Sequence, residues 1–136
     1  MSEPGGVAYA DASALVKLVL EEPEAAALER RLDLHDLVMT SAVGVVEFAR
    51  AVRRAAGAEG ARAVRAVAAG LVVVPLSQDV RRAAQEVEPA GLRALDAIHV
   101  ASARIGAVSL GGFYCYDRRL CEAAAAAGLP VESPGA

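Results

Sequence analysis

Aromatic side chains are scarce in this sequence: they make up 4% of 136 residues, tryptophan is absent, and Lys17 is the only lysine among 14 basic residues. Each shortage excludes something. With 55% hydrophobic residues and so few rings, the core has to be built mainly of Ala, Val and Leu, and small side chains let helices and sheet approach closely. That apolar content is far above what keeps a chain disordered. A formal net charge of −3 and a sequence pI near 5.4 argue against simple polybasic attachment to nucleic acid or membrane. They leave open a nucleic-acid enzyme whose acids are neutralised by metal. The cysteines, Cys115 and Cys121, lack metal-ligand spacing and form no disulfide framework. No uninterrupted apolar run reaches the roughly 18 residues of a membrane span, and no basic segment precedes an apolar signal core, so a cytoplasmic protein outside the membrane is expected. Gly-rich phosphate loops and GxSxG are missing, and two histidines without a plausible triad disfavour serine or cysteine hydrolase chemistry.

What is there is organised around VAYADASALVKL, residues 7–18, where a short apolar run ends in Asp11 and turns into a helical pattern. Asp11 is the only charge between Glu3 and Lys17. The hydrophobic spacing predicts strands at about 7–10, 37–40, 71–75, 112–116 and 130–131. It predicts helices at about 12–21, 24–32, 42–56, 59–69, 78–87, 92–106 and 117–127. Pro23, Gly57, Pro89 and Gly128 punctuate them, with Ser41 and Ser77 as caps. Short apolar strands alternating with helices imply an α/β fold with a mostly parallel central sheet and helices on both faces. No linker divides the chain, so 1–136 is read as a single domain, with about 1–6 and 132–136 loose.

Four acids fall in informative places. Asp11 and Asp117 each follow a strand directly, at the carboxyl end where open α/β sheets bind ligands, although Asp is also a preferred helix cap. Glu47 lies inside AVGVVEFARAV and Asp96 inside LRALDAIHVASA, apolar helical stretches where an unpaired carboxylate is costly. Glu47 could instead face solvent near Arg50, and Asp96 could pair with Arg93. Together, without a Cys/His cluster, the four make a plausible site for one or two hard divalent cations such as Mg²⁺ or Mn²⁺. Ser13 could cap the first helix or orient the carboxylates, and His99, three residues after Asp96, reads as a core residue or one that orients a ligand. His35 lies in a polar loop with no catalytic role expected. Arg50, Arg53, Arg54, Arg62 and Arg65, and Arg118 and Arg119 after Asp117, are a solvated face or phosphate contacts. Cys115, Tyr114 and Tyr116 read as packing residues.

The stretches YADASALVKLVLEE, TSAVGVVEFARA, LRALDAIHVASA and YCYDRRLCEAAAAAGL carry a specific resemblance over almost the whole chain. In this order, around Asp11, Glu47, Asp96 and Asp117, they resemble PIN-domain proteins of the VapC toxin type. The resemblance implies a three-layer α/β/α PIN-like fold and a Mg²⁺- or Mn²⁺-dependent endoribonuclease with those acids at the catalytic and metal-binding positions. It implies hydrolysis leaving a 5′-phosphate and a 3′-hydroxyl, and a structured RNA substrate, tRNA slightly favoured over rRNA. It also implies a VapB-like antitoxin that inserts a segment near the acidic site, and a homodimer or larger toxin–antitoxin assembly. Ser13 matches the small hydroxyl residue after the first acid. Ala12 departs from the usual Ser or Thr there, and Cys115 stands where many relatives carry a hydroxyl near Asp117. A PIN-like interaction module with little or no catalysis is the alternative. A receiver-like phosphoacceptor would need a strand-end lysine, and Lys17 sits in the first helix instead.

Overall fold

Val7–Ala10 form β1, the central strand, and everything else is layered around it. The computed structural model describes residues 5–136. Helices α1 (Ala12–Leu20) and α2 (Ala25–Leu32) lead to β2 (Leu37–Ser41). Helix α3 (Ala42–Ala56), a 3₁₀ turn (Gly57–Gly60) and α4 (Ala61–Ala69) precede β3 (Val72–Val74). Helices α5 (Gln78–Ala84) and α6 (Ala94–Gly106), then β4 (Leu110–Tyr114), α7 (Arg118–Ala126) and β5 (Val131–Glu132) complete the chain. Among the described residues the sheet has five strands in the order β3-β2-β1-β4-β5, and every pairing is parallel.

Alternation along β1 assigns the two faces. Ala8 and Ala10 pack with Leu15, Leu28, Phe48, Val52 and Tyr114 beneath α1–α4. Tyr9 points the other way, among Met39, Val100, Phe113 and Leu120 beneath α5–α7. Tyr9 stacks on Phe113 at 5.1 Å between ring centroids, so one aromatic pair fills the centre of a core otherwise made of aliphatic and sulfur-bearing side chains. This is the three-layer α/β/α arrangement with a buried parallel sheet. No helix among the described residues is long and apolar enough to cross a membrane.

The strand order places the site. From β1 the chain builds outward through β2 to β3, then returns to lay β4 on the opposite side of β1. The carboxyl ends of β1 and β4 therefore flank the point where the winding reverses, where such sheets open a crevice. Asp11 follows β1 and Asp117 lies three residues beyond the end of β4; the Asp11 N–H donates to the Tyr114 carbonyl at 3.1 Å, closing the seam between them.

Some expected boundaries move. Helix α6 starts at Ala94, because Arg93 keeps an extended backbone (ψ 147°) as its N-cap. Strand β4 ends at Tyr114, because Cys115 and Tyr116 already belong to the turn that carries Asp117. His35, placed by sequence in a polar loop, is buried: its Nε2 meets the Tyr114 hydroxyl at 2.7 Å and its Nδ1 the Gly5 carbonyl at 3.1 Å. Residues 132–136, expected to be loose, are held in part. The Ser133 hydroxyl donates to the Cys115 carbonyl, and the Tyr116 hydroxyl to the Pro134 carbonyl at 2.7 Å. At the other end Met1–Pro4, also expected to be loose, lie outside the described residues. Gly5 and Gly6 are tied by N–H bonds to Leu34 and Asp36, each 2.8 Å.

Candidate active site

Asp11 is both a helix cap and a buried carboxylate. Its Oδ1 accepts the Ala14 N–H at 2.9 Å, which starts α1. The Ser13 hydroxyl lies 2.7 and 2.9 Å from the two carboxylate oxygens, and the Cys115 thiol 3.4 Å from Oδ2. Only 3% of Asp11 is exposed, and among the described residues it makes no salt bridge. Burial therefore pushes its carboxyl above the usual range, against the opposing pull of His99, Ser13, Ala14 and Cys115. Ser13 does a second job: its oxygen accepts the Tyr116 N–H at 2.9 Å, which pins the turn after β4 to the start of α1. Cys115 takes a donor position beside Asp11, and burial and the Asp11 charge raise its pKa, so it stays a thiol.

Asp117 caps α7 through Oδ1, which accepts the Leu120 N–H at 3.2 Å, while Oδ2 receives Arg93 Nη2 at 3.2 Å. The same guanidinium donates through Nε to Asp96 Oδ2 at 3.0 Å. Arg93 thus joins Asp96, on the first turn of α6, to Asp117 on another element. The sequence offered Arg93 as a local partner for Asp96; its reach to Asp117 depends on the fold.

Glu47 does not turn to Arg50. It faces His99, whose Nε2 lies 2.7 Å from Glu47 Oε1, and His99 Nδ1 lies 2.6 Å from the Tyr9 hydroxyl. A carboxylate only accepts, so Nε2 carries the proton and donates to Glu47. Burial, with the Asp11 charge, holds the Tyr9 phenol well above its ordinary pKa, so Tyr9 keeps its proton. It accepts the Ser41 N–H at 3.1 Å and shares a hydrogen bond with Nδ1. A chain of hydrogen bonds therefore runs from the core strand to the carboxylate. Gly44 makes it possible: a Cβ there would meet Thr40 Oγ1 at 2.5 Å and His99 Cε1 at 3.0 Å. Without a side chain at 44, α3 lies close against His99, and Glu47, one turn later, comes into reach.

Asp11, Glu47, Asp96 and Asp117 line one cavity of about 340 Å³, with Ser13, Arg93 and His99 among its other walls. All four sequence-predicted acids are brought together, with Ser13 and His99 beside them. Their donor set suits a hard divalent cation, and Asp11 presents a buried carboxylate that makes no salt bridge among the described residues. The acids surround the cavity rather than converge on one point: among the described residues, no three His, Cys, Asp or Glu side chains already form a metal cage. That arrangement fits Mg²⁺ or Mn²⁺, which take one or two carboxylates and complete their sphere with water and phosphate oxygens.

A wider groove of about 860 Å³ adjoins this cavity and shares Ala12, Ser13, Glu47 and Leu95 with it. Its floor is apolar, with Val46 57% and Leu95 45% exposed, and Lys17, Arg50 and Arg54 stand along it. Arg53 joins Arg50 and Arg54 around a further hollow on α3, whereas Arg62 and Arg65 lie exposed on α4. Arg118 pairs with Glu122 at 3.4 Å. Two residues escaped the sequence reading. Tyr9 was visible only as the one bulky, polar-tipped residue in a strand of small ones, which demands a buried hydrogen-bond partner; Gly44 was visible only as a glycine inside a helix.

Comparison with known proteins converges on one family. The PIN domain family model matches residues 8–125. The ribonuclease VapC35 of Mycobacterium tuberculosis is 42% identical over 131 residues, covering 93% of this chain and 96% of that protein. Among solved structures, Mycobacterium tuberculosis VapC20, a sarcin-ricin loop cleaving toxin, superposes with a TM-score of 0.74 at 20% identity, covering 94% and 99% of the two chains. A toxin–antitoxin complex from Klebsiella pneumoniae follows with a TM-score of 0.68 at 20% identity, covering 93% and 97%. Those two likenesses establish the fold. The family match across most of the chain and the close sequence relative place this chain in the PIN-domain family, among its VapC ribonucleases.

Proposed function

We propose that this chain is a divalent-metal-dependent endoribonuclease toxin that hydrolyses RNA phosphodiester bonds at the acidic cavity. The observation that carries the proposal is the convergence of Asp11, Glu47, Asp96 and Asp117, from four separate elements, on one cavity at the carboxyl edge of the sheet. Asp11 and Asp96, with Glu47 and Asp117 as further oxygen donors, would hold the metal. A bound Mg²⁺ or Mn²⁺ supplies a lowered pKa for the attacking water and charge neutralisation at the phosphoryl oxygens. The chain's own residues do the rest. Ser13 keeps the Asp11 carboxylate oriented, and His99 holds Glu47 against the cavity wall. Arg50, Arg53 and Arg54 supply cations for backbone phosphates without reading bases. No side chain is needed as a histidine general base, since His99 faces Glu47 and Tyr9 rather than open space.

An antitoxin partner fits the neighbouring groove. Its apolar floor suits the hydrophobic side of an inserted segment, and Arg50 and Arg54 suit acidic side chains on it, Lys17 being held by Glu22 and Glu24. The same cations make a partner seated there compete with RNA for the approach to the cavity, which is the physical basis for neutralisation. The homodimer or larger toxin–antitoxin assembly remains part of this reading, and light scattering of the free protein and the complex measures it.

Product chemistry tests the reading. Purified protein is incubated with total RNA, with tRNA and with rRNA, in Mn²⁺, Mg²⁺ or EDTA. Discrete fragments with 5′-phosphate and 3′-hydroxyl ends, absent in EDTA, are expected. Fragments with 2′,3′-cyclic phosphates, or equal cleavage in EDTA, would contradict it.

A further inference from the structure

Among the described residues, Arg93 is the only arginine or lysine that lines the acidic cavity. It stands at the mouth, 57% exposed, with Nε on Asp96 Oδ2 at 3.0 Å and Nη2 on Asp117 Oδ2 at 3.2 Å. The two carboxylates come from different elements, α6 and the turn before α7, so this guanidinium is the direct link between them. Its backbone is extended rather than helical, and its side chain reaches both Asp96 on the first turn of α6 and Asp117 beyond it.

We propose that Arg93 is a stand-in cation. It holds Asp96 and Asp117 in place while the site is free of metal, releases them to the divalent ion, and then binds a phosphate oxygen of the RNA. The inference rests on the metal-nuclease reading above and adds a residue to it. Three physical points carry it. First, a carboxylate oxygen whose lone pairs accept from Arg93 presents fewer lone pairs to a metal, so the two cations compete for Asp96 and Asp117. Second, Asp96 and Asp117, neutralised by a divalent cation, would no longer attract the guanidinium, which removes the reason for Arg93 to face inward. Third, the displaced side chain remains at the rim, where the substrate phosphate has to pass, and a planar fork of N–H donors matches phosphate oxygens as well as it matches carboxylates. A lysine in this position could neutralise charge but could not span both acids with one planar group.

The proposal makes two effects of opposite sign, which a purely structural residue would not produce. Mn²⁺ affinity is measured by calorimetry, and cleavage kinetics with a labelled RNA, for wild type, Arg93→Gln and Arg93→Lys, with melting curves for all three. Losing two half-exposed ion pairs should let Arg93→Gln bind Mn²⁺ about fivefold more tightly. The same variant should cleave RNA more slowly, chiefly through a KM raised about tenfold, because a phosphate contact is gone. Arg93→Lys should fall between the two in both readouts, and it carries the test if Arg93→Gln melts too low to measure. Unchanged or weaker Mn²⁺ binding in the variants would overturn the stand-in role. A kcat loss with KM unchanged would overturn the phosphate role. A wild type that cleaves RNA with bound Mn²⁺ while these variants behave like it would remove Arg93 alone. A wild type that neither binds Mn²⁺ nor cleaves would remove the metal-nuclease reading and this inference with it.

Discussion

Asp11 carries a conflict between folding and function. It caps α1 and is 3% exposed, so the fold gains a hydrogen bond and bears a desolvated charge. Its folded-state pKa is raised above 3.8, chiefly by burial, which means that folding takes up a proton in the window between the two values. The contribution to stability is therefore present below the unfolded value and lost as pH rises through the raised folded one. Asn keeps the cap and removes the charge, since Asn and Asp cap comparably. Asp11→Asn should melt about 2–5 °C higher than wild type in EDTA at neutral pH, with the gap closing toward pH 4, while cleavage is abolished. Calorimetric scans across pH check this, and a variant that melts lower than wild type at every pH would contradict it. His99 is the second residue with a measurable task. His99→Leu strips the donor from Glu47 and should lower kcat/KM by about 10- to 100-fold. His99→Gln, which keeps an N–H for Glu47, should recover part of it; equal losses in both variants would argue against positioning of Glu47 by this donor. At this scale Asp11 and Asp117 were legible because a lone acid directly after an apolar run is a local signal, although β4 itself ends at Tyr114. Tyr9 and the second partner of Arg93 were not, because their contacts join residues 90 and 24 positions apart.

The elements carry the acids to one place through their ends and their closest approaches. Asp11, Ser41, Ser77 and Asp117 all cap helices, so the strand–turn–helix joints that shape the site are fixed by hydrogen bonds written in the sequence. The strands and most helices were legible for the same reason, from hydrophobic spacing and cap residues. The start of α6 was less so: Leu92 continues the apolar pattern, but Arg93 stays extended and sends its charge into the cavity. Helix α3 depends on one feature that pattern alone does not explain, the absence of a side chain at Gly44. Gly44→Ala would set a methyl against Thr40 Oγ1 and His99 Cε1, so α3 has to shift away from α6. A loss of about 1–3 kcal/mol in denaturant unfolding is expected from overpacking, offset slightly by the better helix propensity of Ala. Cleavage should fall with it, because Glu47 leaves His99. A variant with wild-type stability and activity would show that α3 has room that the close approach denies.

For the whole molecule, a parallel sheet that reverses its winding at β1 turns residues far apart in sequence into neighbours around one crevice. That topology, together with four acids in order, made the acidic site readable before any contact was seen. The groove beside it was not readable, because Val46, Leu95, Lys17 and Arg54 share no local pattern and meet only when α1, α3 and α6 pack. Net charge gave little guidance either: an overall −3 conceals acids gathered in a cavity and arginines gathered on α3 beside it. The proposed function assigns RNA cleavage with a divalent metal to this cavity. The most direct measurement compares cleavage of total bacterial RNA by wild type and Asp96→Asn, each with and without Mn²⁺, at matched folded concentration. Discrete products from wild type only with Mn²⁺, reduced at least about 100-fold in Asp96→Asn, are the predicted result. Products that survive the substitution, or that form equally without metal, would contradict it.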